Sequence, residues 1–137
     1  KKIAIVAGGI GIAPLLELAK KLEIKADFYG GFAADPYFID EFKPYVNNIV
    51  TSSERDEGLF ILDKLNPDDY DLIYACGPNP MLKALCEKNT KAKIQVSMEA
   101  HMGCGIGACL GCTVEDRNGD FIRVCKDGPV FDAERIF

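Results

Sequence analysis

Long apolar runs and basic clusters are both missing from this sequence. No run of about 18 apolar residues is present, so no transmembrane helix is predicted. The formal net charge is −5, from 16 Lys and Arg residues against 21 Asp and Glu residues. An acidic chain without a basic cluster is a poor partner for nucleic acid. We therefore expect neither a membrane nor a nucleic acid among its partners.

The N-terminus also lacks the charged and then apolar stretch of a signal peptide. The chain begins at Lys1 with a strand-like run, so we expect a fragment of a longer protein whose N-terminal part is missing. The six cysteines are not spread as a disulfide framework, because four of them crowd into residues 104–125. We therefore expect a reducing cytoplasm in which the crowded cysteines hold a cofactor.

Residues 1–98 alternate between strand-like and helix-like runs. The continuous apolar run of residues 3–7 is typical of a buried parallel strand, and residues 13–22 show helical spacing. The other predicted strands are residues 26–29, 48–51, 72–76 and 93–98, and the other predicted helices are residues 36–42, 58–65 and 80–89. Repeated units of this kind predict an α/β fold, with a five-stranded parallel sheet and helices on both faces.

The pattern changes at about residue 99. Four glycines lie within residues 103–111, and helical periodicity disappears. We therefore predict two domains, a nucleotide-binding domain of residues 1–98 and a small cysteine-rich β-hairpin segment of residues 99–137.

A β-hairpin is predicted around Asn118-Gly119, which separates two strand-like runs. Asn-Gly favours a two-residue type I′ turn, in which both central residues have positive φ. With this turn, the residues that flank it face each other, and Cys112 faces Cys125 at the far end. Facing residues have Cβ atoms about 4.5–5.5 Å apart. The hairpin would therefore bring Cys125 to the other cysteines.

Four cysteines, Cys104, Cys109, Cys112 and Cys125, have the spacing Cys-x4-Cys-x2-Cys and a distant fourth Cys. This spacing is typical of plant-type 2Fe–2S centres, in which thiolates bind the iron. His101 is the only histidine, so it cannot supply the two that a Rieske centre needs. A structural zinc and a disulfide between Cys112 and Cys125 are the alternatives. Neither explains Cys104 and Cys109 as well as a 2Fe–2S cluster does.

A glycine-rich turn follows the first strand and contains Gly8, Gly9, Gly11 and Pro14. Glycines here let the backbone approach a phosphate, and the next helix offers its N-terminal N–H groups. Pro14 suits the first turn of a helix. The motif predicts a dinucleotide site, although a tight turn without a ligand would need similar residues.

A second predicted contact region is Cys76-Gly77-Pro78, at the carboxyl end of the fourth strand, where parallel sheets bind ligands. Gly30, at the predicted end of the second strand, is a further candidate contact. Cys76 could instead be a small buried apolar residue, and this is our interpretation of Cys86, which lies inside a predicted helix.

Together these motifs resemble those of the ferredoxin–NADP reductase superfamily. The glycine-rich turn, residues 29–32 and residues 76–78 are similar to its pyridine-nucleotide domain. Residues 98–112 and 124–131 are similar to the cluster segment of one branch, the electron-transfer subunit of the bacterial two-subunit, NAD-dependent dihydroorotate dehydrogenase. The resemblance covers essentially the whole chain.

The resemblance implies an NAD-linked oxidoreductase of pyrimidine biosynthesis. In this family, electrons pass between NAD and an FMN-containing catalytic subunit, through FAD and a 2Fe–2S cluster. Gly9, Gly11 and Pro14 would then lie at the dinucleotide, with Cys76 and Gly77 near the nicotinamide. The four cysteines would hold the cluster.

Two features depart from the family pattern. None of the four arginines begins the FAD-binding signature, and nothing precedes the first strand of the nucleotide domain, so we expect this chain alone to bind FAD poorly. In the loop of residues 52–58, Glu54 and Asp56 would repel a 2′-phosphate, whereas Arg55 and the serines could accept one; we favour NAD over NADP. A related reductase subunit that serves another redox partner is an alternative function. A zinc-bearing interaction module without redox activity is an alternative of another class.

Overall fold

The computed structural model describes residues 2–9, 12–58, 60–88, 91–97, 113–123 and 130–136. Its strands are β1 (Ile3–Gly8), β2 (Ala26–Phe32), β3 (Val46–Ser53), β4 (Leu72–Cys76), β5 (Lys93–Ser97), β6 (Thr113–Glu115), β7 (Phe121–Arg123) and β8 (Val130–Asp132). Its α-helices are α1 (Ile12–Lys21), α2 (Glu54–Glu57), α3 (Asn79–Lys88) and α4 (Ala133–Ile136). Short 3₁₀ helices are Ile39–Glu41, Lys43–Tyr45, Ile61–Lys64 and Pro67–Asp69.

The strands of the main sheet lie in the order β3-β2-β1-β4-β5-β8. The first five are parallel, as predicted. The sixth strand, β8, pairs antiparallel with β5 and was not predicted. The expected five-stranded parallel sheet is therefore confirmed and extended by one strand. Because β8 comes from beyond residue 98, the two predicted domains share one sheet, and their boundary stays a prediction.

Each face of the sheet carries its own apolar cluster. On one face, Ile12, Leu15, Leu16 and Ala19 of α1 pack with β1 and β2, because their spacing places them on one side of a helix. On the other face, Leu82 and Leu85 of α3 are fully buried with β4 and β5. The expectation of helices on both faces is confirmed.

The predicted helix over residues 58–65 is wrong. The helix α2 comes earlier and ends at Gly58, whose φ of 67° is left-handed and whose N–H donates to the Glu54 carbonyl at 3.0 Å. A residue in this conformation terminates an α-helix. Only a 3₁₀ helix, Ile61–Lys64, remains of the prediction. Of the predicted helix over residues 36–42, only the 3₁₀ helix Ile39–Glu41 is present, and a second 3₁₀ helix, Lys43–Tyr45, follows it.

The predicted hairpin forms, but its register differs by one residue. Thr113 pairs with Arg123, and the N–H of Asp116 donates to the Asp120 carbonyl at 2.8 Å. The prediction that Arg117 faces Asp120 is therefore wrong. The cause is the turn: Gly119 has a positive φ of 85° but Asn118 does not, so a three-residue loop replaces the two-residue turn. The predicted pairing of Cys112 with Cys125 lies outside the described residues.

The helices in the described ranges are short. None of them is both long and apolar enough to cross a membrane.

Candidate functional site

The strand order reverses between β1 and β4. From the carboxyl end of β1 the chain enters α1 on one face of the sheet, and from β4 it enters α3 on the other. Such a switch point opens a crevice outside the strand ends, where open α/β sheets bind their ligands. A cleft of about 580 Å³ lies at this place. Its lining includes Gly8, Gly9, Gly31, Glu54, Phe60, Ile61, Pro78 and Met81.

Gly8 and Gly77 let the ends of β1 and β4 approach each other closely. A Cβ atom on Gly77 would lie 3.2 Å from the backbone nitrogen of Gly8 and 2.7 Å from Cε of Met81. A Cβ atom on Gly8 would lie 2.7 Å from Sδ of Met81. Side chains at these positions would push Met81 into the cleft or force the strand ends apart. Of the predicted contact residues, Gly8, Gly9 and Pro78 line the cleft. Gly77 is not part of the lining but lies next to Met81, which is.

Gly9 differs from its neighbours because its backbone is left-handed, with φ of 54°, and the space beside it is open. A Cβ atom there would meet no heavy atom of the described residues within 4 Å. The residue follows β1 directly and lines the cleft. Pro14 lies in the first turn of α1, as predicted, and Gly11 lies outside the described residues. The open space at Gly9 leaves room for a bound group close to the backbone.

Gly30 lies inside β2 and not at its end, where the sequence placed it. Its missing side chain makes room for two aromatic rings, because a Cβ atom would lie 2.8 Å from Phe28 and 3.0 Å from Phe32. The next residue, Gly31, is on the opposite face of the strand and lines the cleft. Two adjacent glycines give no sequence signal for which of them faces a ligand.

Cys76 is 1% exposed and belongs to the apolar cluster on the α1 face. It pairs with Ala7 across the strands and does not line the cleft. Cys86, on α3, packs against the other cluster as a small apolar residue would, but it is only half-buried and not buried as predicted. Burial, followed by the charge of Glu87, raises the pKa of the Cys86 thiol.

The wall of the cleft beyond β3 is built by α2 and the residues after it. Ser53 caps α2, because its Oγ accepts the N–H of Asp56 at 3.2 Å and its own N–H donates to Glu57 at 2.9 Å. Lys64 then ties this region together, since its Nζ donates to the Thr51 carbonyl at 2.8 Å and to Glu57 at 2.7 Å. The bond from Lys64 lowers the pKa of Glu57.

Arg55 is held by two carboxylates on this wall. It donates to Asp56 and to Asp35, and its backbone N–H donates to the Ala33 carbonyl at 3.0 Å. The hydrogen bond to Asp56, followed by that to Asp35, raises the pKa of Arg55, and the same contact lowers the pKa of Asp56. The guanidinium is thus already occupied by acidic partners.

The wall as a whole is acidic. Asp35 and the segment of residues 53–64 together carry five carboxylates and two cations, which gives this set a net charge of about 2 − 5 = −3. The carboxylates are Asp35, Glu54, Asp56, Glu57 and Asp63, and the cations are Arg55 and Lys64. Glu54 and Asp63 line the cleft directly. The sequence indicated the acidic loop but gave no sign that Phe60, Ile61 and Met81 would form apolar walls, because their spacing matches any packed segment.

The four cysteines predicted to bind a cluster, and His101, lie outside the described residues. Among the residues that are described, no three His, Cys, Asp or Glu side chains gather as metal ligands would.

Comparison with known families concerns this C-terminal segment first. Residues 99–137 match the family described as "Iron-sulfur cluster binding domain of dihydroorotate dehydrogenase B". The match begins at the residue where the sequence pattern changes.

Curated relatives match nearly the whole chain. The electron transfer subunit of dihydroorotate dehydrogenase B (NAD(+)) from Clostridium perfringens is 44% identical over 98% of this chain and 58% of its own length. The subunit of the same name from Caldanaerobacter subterraneus is 42% identical over 99% of the chain and 59% of its own length. A probable subunit of this type from Thermococcus kodakarensis is 37% identical. The chain spans less than two thirds of the length of these relatives.

A solved structure supports the fold. The chain superposes with a TM-score of 0.81 on a chain from the NADH-dependent reduced ferredoxin-NADP oxidoreductase, a structure described in connection with flavin-based electron bifurcation. The two are 28% identical, and the match covers 99% of this chain and 54% of the other. The predicted ferredoxin-reductase-like fold is thereby confirmed. Over nearly its whole length, the chain is related to the electron-transfer subunits of dihydroorotate dehydrogenase B, and it corresponds to a little under three fifths of their length.

Proposed function

We propose that this chain is the NAD-binding and cluster-binding part of an electron-transfer subunit in pyrimidine biosynthesis. The complete subunit would pass electrons between NAD and the FMN of a dihydroorotate dehydrogenase catalytic subunit, through FAD and a 2Fe–2S cluster. The match of residues 99–137 to the iron–sulfur domain of that enzyme carries this proposal. A cytoplasmic location agrees with the cysteine content.

The cleft at the strand switch point is the proposed NAD site. NAD supplies the two-electron hydride chemistry when it is bound. Gly8, Gly9 and Gly11 would place the backbone against the pyrophosphate, and Pro14 lies in the first turn of α1, whose N-terminus favours negative charge. The structural fit rests on the open space at Gly9 and on a cleft volume of about 580 Å³.

The nicotinamide end of NAD would lie against Gly77 and Pro78. Gly77 would keep space free for the nicotinamide, because a side chain at this position would push Met81 into the cleft. Cys76 contributes through its backbone, since its side chain is buried on the other face of the sheet. Gly30 would act indirectly. Because it has no side chain, the rings of Phe28 and Phe32 fit beside it, and this fixes where Gly31 lies in the lining of the cleft.

Cys104, Cys109, Cys112 and Cys125 are the proposed cluster ligands. Four thiolates in this spacing suit a 2Fe–2S cluster, whose chemistry is single-electron transfer. A zinc site would use the same thiolates, but the match to an iron–sulfur domain favours iron.

FAD belongs to the complete subunit in this proposal. Without it, we expect the chain of 137 residues to bind NADH but to reduce artificial electron acceptors poorly. A related reductase subunit with a different redox partner remains the second candidate function, and the similarity to a ferredoxin-NADP oxidoreductase favours it.

Gly9 and Gly58 offer a matched test of the NAD site. Both have positive φ, and within the described ranges a Cβ atom at either position would meet no heavy atom closer than 4 Å. Gly9→Ala and Gly58→Ala should therefore each destabilise the fold by about 1–2 kcal/mol, the cost of a left-handed alanine. Only Gly9 lines the cleft, so only Gly9→Ala should also weaken NADH binding, by about tenfold or more.

Calorimetric titration with NADH, together with urea unfolding of both variants, measures the two effects separately. Equal NADH affinity in the two variants would show that NADH does not bind in this cleft. The cluster proposal would stand in that case, because it depends on other residues.

A further inference from the structure

A second cavity lies at the opposite end of the sheet from the NAD cleft. It has a volume of about 510 Å³ and lies where α3 ends and β5 begins. Its lining includes Lys83, Lys91 and Lys93 from this region, and Arg117 from the hairpin loop. We call it the basic cavity and define it by these four side chains. It joins the nucleotide-binding part of the chain to the hairpin of the C-terminal segment.

The charge of the basic cavity contrasts with the rest of the chain. Among the described residues that line it, four cations stand against two carboxylates, Glu87 and Asp132, which gives a local net charge of 4 − 2 = +2 in a chain of −5. Lys93 lies 4.0 Å from Asp132, which also accepts a hydrogen bond from Gln95 at 3.3 Å. The other three cations form no ion pair within the described part of the chain.

These cations come from separate elements of the chain. Placing them around one cavity costs electrostatic free energy, because like charges repel. A bound anion would remove that repulsion. Because Arg117 stands on the hairpin and Lys83 on α3, the same anion would hold the two elements together.

The floor of the cavity is apolar, whereas its cations are exposed. Ala92, Ile94 and Ala133 are each less than 8% exposed, and the half-buried Cys86 lies beside them. The volume is within the range of about 300–1,000 Å³ that small-molecule sites occupy. Exposed cations above an apolar floor suit an organic ligand with a compact, highly charged end.

We propose that the basic cavity binds a small multivalent anion of the polyphosphate class, bridging Arg117 to the lysines of α3 and β5. Its occupancy would stabilise the contact between the hairpin and the main sheet. The site is separate from the NAD cleft and does not depend on the coenzyme.

Calorimetric titration of the 137-residue chain, prepared without oxygen, tests the proposal with two probes. Inorganic triphosphate presents the charged group alone, and guanosine triphosphate adds a base and a sugar without the adenine that NAD carries. Both should bind with a Kd below about 1 mM. Tighter binding of the nucleotide would assign the ligand to nucleotides, and equal binding would assign it to the phosphate group alone; either result supports the site.

The double variant Lys91→Gln with Arg117→Gln should weaken triphosphate binding by about tenfold or more. The matched control is Lys21→Gln with Lys25→Gln, which removes the same charge from exposed positions away from the cavity. Its affinity should stay within about twofold of the parent chain. Circular dichroism of the parent chain and the two double variants checks that the fold is kept.

Cys86 provides a local readout, because its thiol lines the cavity. Triphosphate should slow alkylation of Cys86, and NADH should not. Peptide mass spectrometry measures the alkylated fraction of Cys86 over time. The proposal is overturned by a lack of binding below about 1 mM, by equal weakening in the two double variants, or by unchanged alkylation of Cys86. Binding of an octaglutamate peptide in place of triphosphate would also overturn it and would assign the cavity to an acidic protein partner.

Discussion

Arg55 and Asp56 are joined by two hydrogen bonds, 2.9 Å from Nε to Oδ1 and 3.1 Å from Nη2 to Oδ2. Asp35 binds the same guanidinium from the loop after β2. Next to this cluster, Glu54 lines the NAD cleft. Arg55 is thus paired with two carboxylates, so it offers little free charge to a ligand phosphate.

This pairing predicts a preference for NADH over NADPH. Exposed ion pairs are individually weak. A 2′-phosphate would nevertheless have to compete with two carboxylates for Arg55 and bind beside a wall of net negative charge. Asp35→Asn with Asp56→Asn should release Arg55 and strengthen NADPH binding by about tenfold, while NADH affinity changes by less than about twofold. Fluorescence titration with each coenzyme measures both.

The matched control for this variant is Glu23→Gln with Glu41→Gln, which removes two exposed negative charges that do not line the cleft. It should leave the ratio of the two affinities unchanged. Equal affinity of the parent chain for NADH and NADPH would contradict the role given to the Arg55 pairs.

Tyr70 anchors a chain of hydrogen bonds at the amino ends of the strands. Its hydroxyl lies 2.6 Å from that of Tyr29 and donates to Asp27 at 2.8 Å. Tyr70→Phe would leave both partners short of a hydrogen bond in a half-buried place and should destabilise the fold by about 1–3 kcal/mol. Tyr74→Phe is the control, since its hydroxyl has no hydrogen bond within the described ranges. Equal urea-unfolding free energies for the two variants would contradict this.

The same residue predicts a loss of stability at alkaline pH. Burial, followed by the bonds to Tyr29 and Asp27, raises the pKa of Tyr70 above its ordinary value of 10.0. The unfolded chain therefore loses this proton at a lower pH than the folded chain does. The free energy of unfolding should fall as pH rises beyond about 10, and less steeply in Tyr70→Phe than in the parent chain. Parallel curves for the two proteins would show that Tyr70 does not contribute.

Phe131 and Phe121 give a matched pair for the attachment of the C-terminal segment. Phe131, in β8, is 4% exposed and faces Val96 of β5, whereas Phe121, in β7, is 73% exposed. Phe131→Ala should destabilise the fold by about 3–5 kcal/mol, and Phe121→Ala by less than about 0.5 kcal/mol. Urea unfolding measures both, and similar small losses would mean that β8 is not part of the core.

The central strands could be predicted because burial on both faces leaves a continuous apolar run. The bounds of β4, Leu72–Cys76, agree with the prediction, and α1 differs by one residue at each end. Strand β8 was missed because three residues are too few to show a period. The helix predicted over residues 58–65 failed because Gly58 is the left-handed C-cap of α2, and a glycine there ends a helix instead of beginning one.

The site could be predicted only in part. Glycines after β1 and β4 indicated the cleft, since the carboxyl ends of parallel strands meet at one edge. Which of Gly30 and Gly31 lines the cleft depends on the face of β2 on which each lies. Because both residues are glycine, the sequence does not show this. The pairing of Arg55 with Asp35 joins helix α2 to the loop after β2, and no sequence spacing indicates it.

The content of the C-terminal segment tests the central claim most directly. A chain prepared without oxygen should be red-brown, with about two irons and two sulfides per molecule. Serine in place of Cys104, Cys109, Cys112 or Cys125 should each remove or alter this cluster, and Cys86→Ser should keep it. A colourless oxygen-free preparation that contains zinc and no iron would contradict the proposed function.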